Sequence, residues 1–184
     1  MASLMPLTSL GKTQATVVTH GPLTITERTD LALASVAARR GRDLTQAAGA
    51  AGLPLPGPAQ YLAGSPYAAF WVAPEMWLVE APFASHELIA DLLKTALGDG
   101  ASVTEQTDAW VVFDLAAPDP SVILERLCNV DFAAVSTGYA TRTVMDHLGV
   151  YLIKHGPGAA RIYGPRSSAE SLLHALETAA HSAL

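Results

Sequence analysis

Six histidines, one cysteine and a scatter of aspartates are the groups with which this chain could do chemistry. A zinc ion held on a helix needs two histidines one turn apart, or paired cysteines. His20, His86, His147, His155, His174 and His181 include no pair at that spacing, and Cys128 has no second cysteine to join it. His174 and His181 stand seven residues apart on one expected helix, which puts both on one exposed face. A nucleophilic cysteine needs a neighbouring base. Cys128 falls instead on an apolar helical stripe, four residues after Leu124, and reads as a buried structural cysteine. Asp108, Asp114, Asp131 and Asp146 are carboxylates without a partner at helical spacing, so no acid–base pair is visible. Asp131 is expected to close a helix and accept backbone N–H groups at a turn. Gly-x-Ser-x-Gly, P-loop and Gly-x-Gly-x-x-Gly patterns are absent, and Gly156-Pro157-Gly158 reads as a hairpin tip rather than a phosphate cradle.

The bulk numbers bound what such residues can belong to. At 184 residues the chain is one domain or one compact duplicated unit. A lone cysteine allows no internal disulfide and points to a reducing, cytoplasmic setting. The first 16 residues lack the basic start and apolar run of a signal peptide, and no apolar stretch approaches the roughly 20 residues that span a bilayer. A net charge of −6 opposes a nucleic-acid role. Arg39, Arg40 and Arg42 form the one basic cluster, which could hold a phosphate or an acidic partner and is otherwise a solvated turn. Charged residues make up 15% of the chain, against about 25% in ordinary soluble domains. That shortage favours a surface partly covered by other chains over the plainer explanation, an alanine-rich composition.

The elements repeat. Strands are expected at Val17–His20, Leu23–Glu27 and Leu31–Ala38. A helix from Leu44 to Ala51 follows, opened by an Asp43/Gln46 capping box, then a surface loop over Gly52–Ser65. Three times the chain then reads strand, proline, cap, helix. The first unit is the hairpin Ala69–Val72 and Met76–Glu80 with a helix from 84 or 85 to Leu97. The second is Val111–Leu115, within a strand-like run that opens at Val103, with Asp119 as N-cap, Pro120 at the first helical position, and a helix running on towards Asp131. The third is the hairpin Val150–Ile153 and Ala159–Tyr163 with a helix from about Ser168, capped by Ser167 and Glu170. Apolar stripes at Leu88, Leu92 and Leu93, at Ile123, Leu124 and Leu127, and at Leu172, Leu173 and Leu176 need a shared sheet to bury them. The fold class is therefore α+β: an antiparallel or mixed sheet with helices on one face.

Five ordered segments carry a family resemblance: Ala69-Phe70-Trp71-x-x-Pro74-x-x-Trp77-Leu78-Val79-Glu80; Thr104-Glu105-Gln106-Thr107-Asp108-x-Trp110; Leu124-Glu125-Arg126-Leu127-Cys128-Asn129-Val130-Asp131; Ala140-Thr141-Arg142-Thr143 with His147-Leu148-Gly149; and Gly164-Pro165-Arg166-Ser167-Ser168-Ala169. Together they resemble the gamma subunit of heterotetrameric sarcosine oxidase, a bacterial enzyme, and more distantly the folate-binding domain of aminomethyltransferases. The resemblance covers about residues 21 to 180, within one domain at 21–184 after a lead-in at 1–20, and implies duplicated ferredoxin-like units with interleaved halves. It implies an accessory structural subunit without catalytic residues. The host enzyme would convert sarcosine to glycine and hydrogen peroxide and pass a one-carbon unit to tetrahydrofolate. FAD, FMN, NAD and tetrahydrofolate would be held by the alpha, beta and delta subunits. The acidic Gly-Gly-x-x-Asp-Asp segment of aminomethyltransferases is replaced here by His147-Leu148-Gly149-Val150-Tyr151-Leu152-Ile153, which argues against folate chemistry on this chain.

The expected partner-interface residues are Trp71, Trp77, Arg142 and Arg166. Tryptophan and arginine dominate interface hot spots. Strand tryptophans are otherwise core residues, and the arginines otherwise pair internally with Asp131 or Asp146. Arg166 precedes a helix N-terminus, where the dipole opposes a cation, so a carboxylate partner is the expected reason for it. The rival readings are a stand-alone folate-like small-molecule binding module and a free-standing enzyme.

Overall fold

In the computed structural model, which describes residues 5–184, the chain forms two compact units whose segments alternate along the sequence. Of the described residues, the first unit takes 5–29, 109–137 and 142–184, and the second takes 30–108 and 138–141. β1 (Val17–His20) and β2 (Leu23–Glu27) pair antiparallel as the first hairpin of unit one. The chain then builds unit two: β3 (Leu31–Ala38), α1 (Thr45–Ala51), β4 (Tyr61–Leu62), β5 (Ala68–Ala73), β6 (Met76–Pro82), α2 (Phe83–His86), α3 (Ile89–Leu97) and β7 (Ala101–Glu105). It returns to unit one through a 3-10 turn at Thr107–Ala109, then β8 (Trp110–Ala116), α4 (Ser121–Leu124), β9 (Ala140–Met145), β10 (Leu148–Gly156), β11 (Ala159–Pro165) and α5 (Ala169–Ala183). No helix among the described residues is long and apolar enough to cross a membrane.

The sheet of unit two runs β4-β5-β6-β3-β7, and every pair in it is antiparallel. Read as β3-α1-β5-β6-α3-β7 with spatial order β5-β6-β3-β7, it is a ferredoxin-like βαββαβ unit. One face of β3 and β6 presents Ala32, Ala34 and Val36 with Trp77, Val79 and Ala81, and α1 and α3 bury it with Leu44, Ala48, Ile89, Leu93 and Leu97. The small alanines let the helices lie close to the strands.

The sheet of unit one runs β1-β2-β8-β11-β10-β9. Its central strands β2-β8-β11-β10 reproduce the same arrangement in permuted form, with the fourth strand supplied from the start of the chain. On the helix side, Leu23, Ile25, Val111, Phe113, Leu115, Leu152 and Ile162 meet Ile123, Leu124, Leu172 and Leu176. The turn between β9 and β10 places Asp146 (φ 44°) and His147 (φ 69°) in the left-handed region, which two-residue type I′ hairpins require.

The α+β class and the strand–strand–helix units expected from the sequence are the ones observed. Several details differ. The run from Val103 is not one strand: it breaks at Gln106, and β7 and β8 belong to different sheets. The helix expected from 84 or 85 to Leu97 is interrupted at Leu88 (φ −93°, ψ 44°), so α2 and α3 are separate. Its buried stripe is Ile89, Leu93 and Leu97, and Leu88 and Leu92 face solvent. The helix expected to reach Asp131 is the single turn α4, continued only by local turn bonds as far as Cys128. The two expected capping boxes do not form: α1 starts after Leu44 and α5 after Ser168, neither with a side-chain cap. Asp43 instead accepts from the Thr45 N–H and hydroxyl, an Asx turn. The expected cap of α4 is also displaced: Pro120, not Asp119, precedes the helix, Ser121 is its first residue, and Asp119 accepts the Ser121 N–H (3.0 Å) as a local turn rather than a helix cap. The loop over 52–65 contains the short strand β4.

Candidate functional site

The polar groups that sequence spacing left scattered are gathered by the sheet of unit one. Asp114 stands mid-strand on β8, on the face away from the helices, with β2 and β11 on either side. Its Oδ1 accepts from Arg161 Nε (2.6 Å), and its Oδ2 accepts from Arg161 Nη2 (2.9 Å) and Arg28 Nη1 (2.6 Å). Burial pushes this carboxyl up, but the hydrogen bonds and charge of Arg161, joined by those of Arg28, outweigh burial and hold it below the usual carboxylate range. A carboxylate whose oxygens already accept from two guanidinium groups is a staple between strands, not a proton acceptor for a substrate.

Two further charged groups work as staples in unit one. Lys154 on β10 is buried, and its Nζ donates to the carbonyls of Phe132 (2.7 Å) and Val135 (2.8 Å) while lying 4.8 Å from the Phe132 ring centroid. It fixes the segment between α4 and β9. Asp131 supports the same segment by accepting the Ala134 N–H, as its expected turn role requires. Glu27, buried at the end of β2, accepts the N–H groups of Leu10 (3.3 Å) and Thr16 (3.0 Å) and ties the incoming chain to the sheet.

The thiol of Cys128 is half-buried, packs against the unit-one core and donates to the Leu124 carbonyl (3.5 Å). Burial pushes its pKa up, away from the thiolate that nucleophilic chemistry uses. His20 and His181 meet edge to face with ring centroids 4.3 Å apart, and His20 Nε2 lies 3.5 Å from Glu177 Oε1. His86 packs edge-on against Tyr67 at 5.3 Å in unit two. Among the described residues no three histidine, cysteine or acidic side chains converge as a metal site.

The four expected interface residues divide between the units. Trp71 and Trp77 are cross-strand partners in the β5–β6 hairpin of unit two. Trp77 is buried and its Nε1 donates to the Pro56 carbonyl (2.8 Å), whereas Trp71 is half-buried against the same core. Arg142 is exposed on β9, the edge strand of unit one, and crosses close to Gly149 of β10: a Cβ added there would stand 3.5 Å from Arg142 Nη2. Tyr151 lies on the same face, and its ring meets Trp110 edge-on at 5.4 Å. Burial pushes the Tyr151 hydroxyl up, against the pull of the Arg142 charge. The partners of Arg166 include Ser9 Oγ and the Leu7 carbonyl, both at 3.2 Å, so this arginine holds the incoming N-terminal segment.

Unit one also carries an open groove of about 390 Å³ lined by Arg126, Asp146, His174, Ala175, Thr178 and Ser182. It joins His174 to Asp146, a proximity that sequence spacing does not reveal. Arg126 Nη1 donates to the Val122 carbonyl and lies 3.2 Å from Glu125 Oε1, so its charge is engaged along its own turn. The segment 147–153 forms the end of the β9–β10 turn and the first part of β10, where residues 150–154 are buried.

No family model matches the chain, and no curated protein matches it in sequence. Among solved structures, a chain of the heterotetrameric sarcosine oxidase from Corynebacterium sp. U-96, in complex with pyrrole 2-carboxylate, superposes with a TM-score of 0.78 at 24% identity. That match covers 90% of this chain and 87% of the other. The glycine cleavage system aminomethyltransferase T from Bartonella henselae superposes with a TM-score of 0.60 at 14% identity, over 82% of this chain and 44% of the enzyme. This chain therefore spans less than half the length of that aminomethyltransferase. At these identities the likeness is one of fold. It meets the resemblance read from the sequence motifs, in both the nearer relation and the more distant one.

Proposed function

We propose that this chain is the gamma-type accessory subunit of a bacterial, cytoplasmic heterotetrameric sarcosine oxidase. Its role is to cover and hold larger chains rather than to react. Oxidation of the sarcosine N-methyl group, with FAD, FMN, NAD and tetrahydrofolate, is assigned to the alpha, beta and delta subunits. The observation that carries this reading is the end-to-end match to a chain of such an enzyme, 90% of one chain on 87% of the other. A graft of the fold into a longer enzyme would match only part of that enzyme, as the aminomethyltransferase does. The charged groups of unit one support the same reading, because Asp114, Lys154 and Glu27 are consumed in holding strands and segments in place.

The test is purification of the chain, tagged at its own locus, from its native host. Recovery in fixed stoichiometry with larger chains that bring a flavin absorbance and sarcosine-dependent peroxide formation is the expected result. Elution of the chain alone, with neither, removes the reading.

A further inference from the structure

We infer that the outward face of α2–α3, formed by Phe83, Leu88 and Leu92, docks a larger partner chain that presents an apolar socket rimmed by lysine and arginine. This rests on the subunit reading above. The segment from the α2–α3 junction through α3 holds both buried and exposed leucines. Ile89, Leu93 and Leu97 point into the core of unit two, and Leu88 and Leu92 point away from it, 66% and 43% exposed. Phe83, at the start of α2, adds a third large apolar side chain at 36% exposure. Large apolar side chains exposed together on one short segment mark an interaction site more than singly scattered ones do. The break at Leu88 settles which leucines go inward, since its φ and ψ of −93° and 44° end one helical piece and start the next with Ile89 facing the sheet. By contrast α5, the other long helix, shows solvent mainly polar side chains such as Glu170, Ser171, His174, Thr178 and His181.

Charge selects the kind of occupant. Glu87 and Asp91 are exposed beside the two leucines, and Asp30, whose carbonyl accepts the Phe83 N–H (2.8 Å), is exposed beside Phe83. Lys94 is the only lysine or arginine between 83 and 97. A second copy of this chain, docked by the same face, would set these carboxylates against themselves. Three side chains also expose roughly a few hundred Å², short of the roughly 800 Å² per partner of a stable interface. The face therefore fits the apolar centre of a larger, basic-rimmed surface on another chain, not a self-contained dimer contact.

The experiment measures binding of this chain to the larger flavin-bearing chains of the same host, expressed together without it. It compares the wild type with Leu88→Glu/Leu92→Glu, with Glu87→Lys/Asp91→Lys, and with Val17→Glu as an exposed control on unit one. The leucine double variant is expected to bind at least about 100-fold more weakly, the scale of a lost hot spot, with an unchanged melting temperature. The charge-reversed variant is expected to lose about tenfold, and wild-type binding to weaken as salt rises. Val17→Glu is expected to bind as the wild type does. Wild type and leucine variant binding alike overturns the docking face and leaves the subunit reading standing. Failure of the wild type to bind overturns both. A self-association of the isolated chain that the leucine variant abolishes, with no change in binding to the larger chains, overturns the occupant in favour of a second copy.

Discussion

Units one and two share a ferredoxin-like plan and hold it together by different means. Unit one is tied by charge: Asp114 on β8 binds Arg161 on β11 and Arg28 just past β2, Lys154 holds the segment between α4 and β9, and Glu27 holds the incoming chain. Unit two is tied by close packing: alanines at positions 32, 34, 69 and 81 line its sheet, and α3 presses Ile89 and Leu93 onto them. The apolar side chains that unit one leaves exposed within its sheet, Val17 and Val144, lie singly on its two edge strands. The packing of unit two leaves Phe83, Leu88 and Leu92 exposed along α2, α3 and the junction between them. One plan can thus serve as both scaffold and docking element, depending on where its apolar surface goes.

The contrast breaks most sharply at Asp114. Asp114→Ala removes the carboxylate that accepts from Nε and Nη2 of Arg161, whose side chain is only 9% exposed. It is expected to cost about 3 kcal/mol, read by chemical denaturation. Glu80→Gln in unit two keeps an acceptor for the Tyr61 hydroxyl (3.0 Å) and should cost about 1 kcal/mol. The same carboxylate sets an acid limit. Its folded pKa is lowered, so its contribution is fully present above the unfolded value of about 3.9 and is lost as pH falls through the folded value. Asp114→Asn is expected to flatten the fall in stability below about pH 4. An equal fall in both proteins would mean that Asp114 does not carry it.

Packing in unit two is tested on one helix. Leu93→Ala opens a cavity under α3 and should cost about 3 kcal/mol, since Leu93 is fully buried. Leu88→Ala, five residues earlier and mostly exposed, should change stability by less than about 0.5 kcal/mol. Equal costs for the two would show that the outward stripe serves the domain itself. In unit one, Lys154→Met keeps the buried stem but removes the donor to the Phe132 and Val135 carbonyls. The expected cost is about 2 kcal/mol, with faster amide exchange confined to residues 132–137.

Where local chemistry fixes an element, the sequence was readable. Alternation marks β2, the apolar run Val150–Ile153 marks β10, the Gly156-Pro157-Gly158 tip places the β10–β11 hairpin, and the Leu172/Leu176 stripe places α5. What failed depends on tertiary choice. Nothing within Val103–Leu115 says that its two halves join different sheets, because both halves have strand composition. Leu88 and Leu92 sit at sound helical spacing with Leu93, and only the break at Leu88 turns them outward. The Asp114–Arg28–Arg161 cluster joins residues up to 133 positions apart, so no spacing rule could reveal it. Nothing in the sequence marks Lys154 as buried, because its burial depends on α4 ending after one turn and on the following segment folding over it.

The smallest expected effect concerns the arginines, and it bears on which of them serve the fold. Arg166 reaches the Leu7 carbonyl and Ser9 Oγ at 3.2 Å. The segment it holds is secured independently, by Leu10 in the unit-one core and by Glu27 on the Leu10 and Thr16 amides. Arg166→Ala should therefore loosen only residues 5–9, at a cost of about 0.5–1 kcal/mol, with faster exchange confined to them. Arg142 lies exposed on an edge strand, and Arg142→Ala should cost less than about 0.5 kcal/mol in the free chain. The two separate in the assembly. If Arg142 meets a carboxylate of another subunit, Arg142→Ala lowers recovery of the complex while the free chain melts as before. Arg166→Ala should show the opposite pattern, a small drop in melting with recovery kept. Loss of recovery in Arg166→Ala at unchanged melting would mean that this arginine faces a partner as well as its own N-terminal segment.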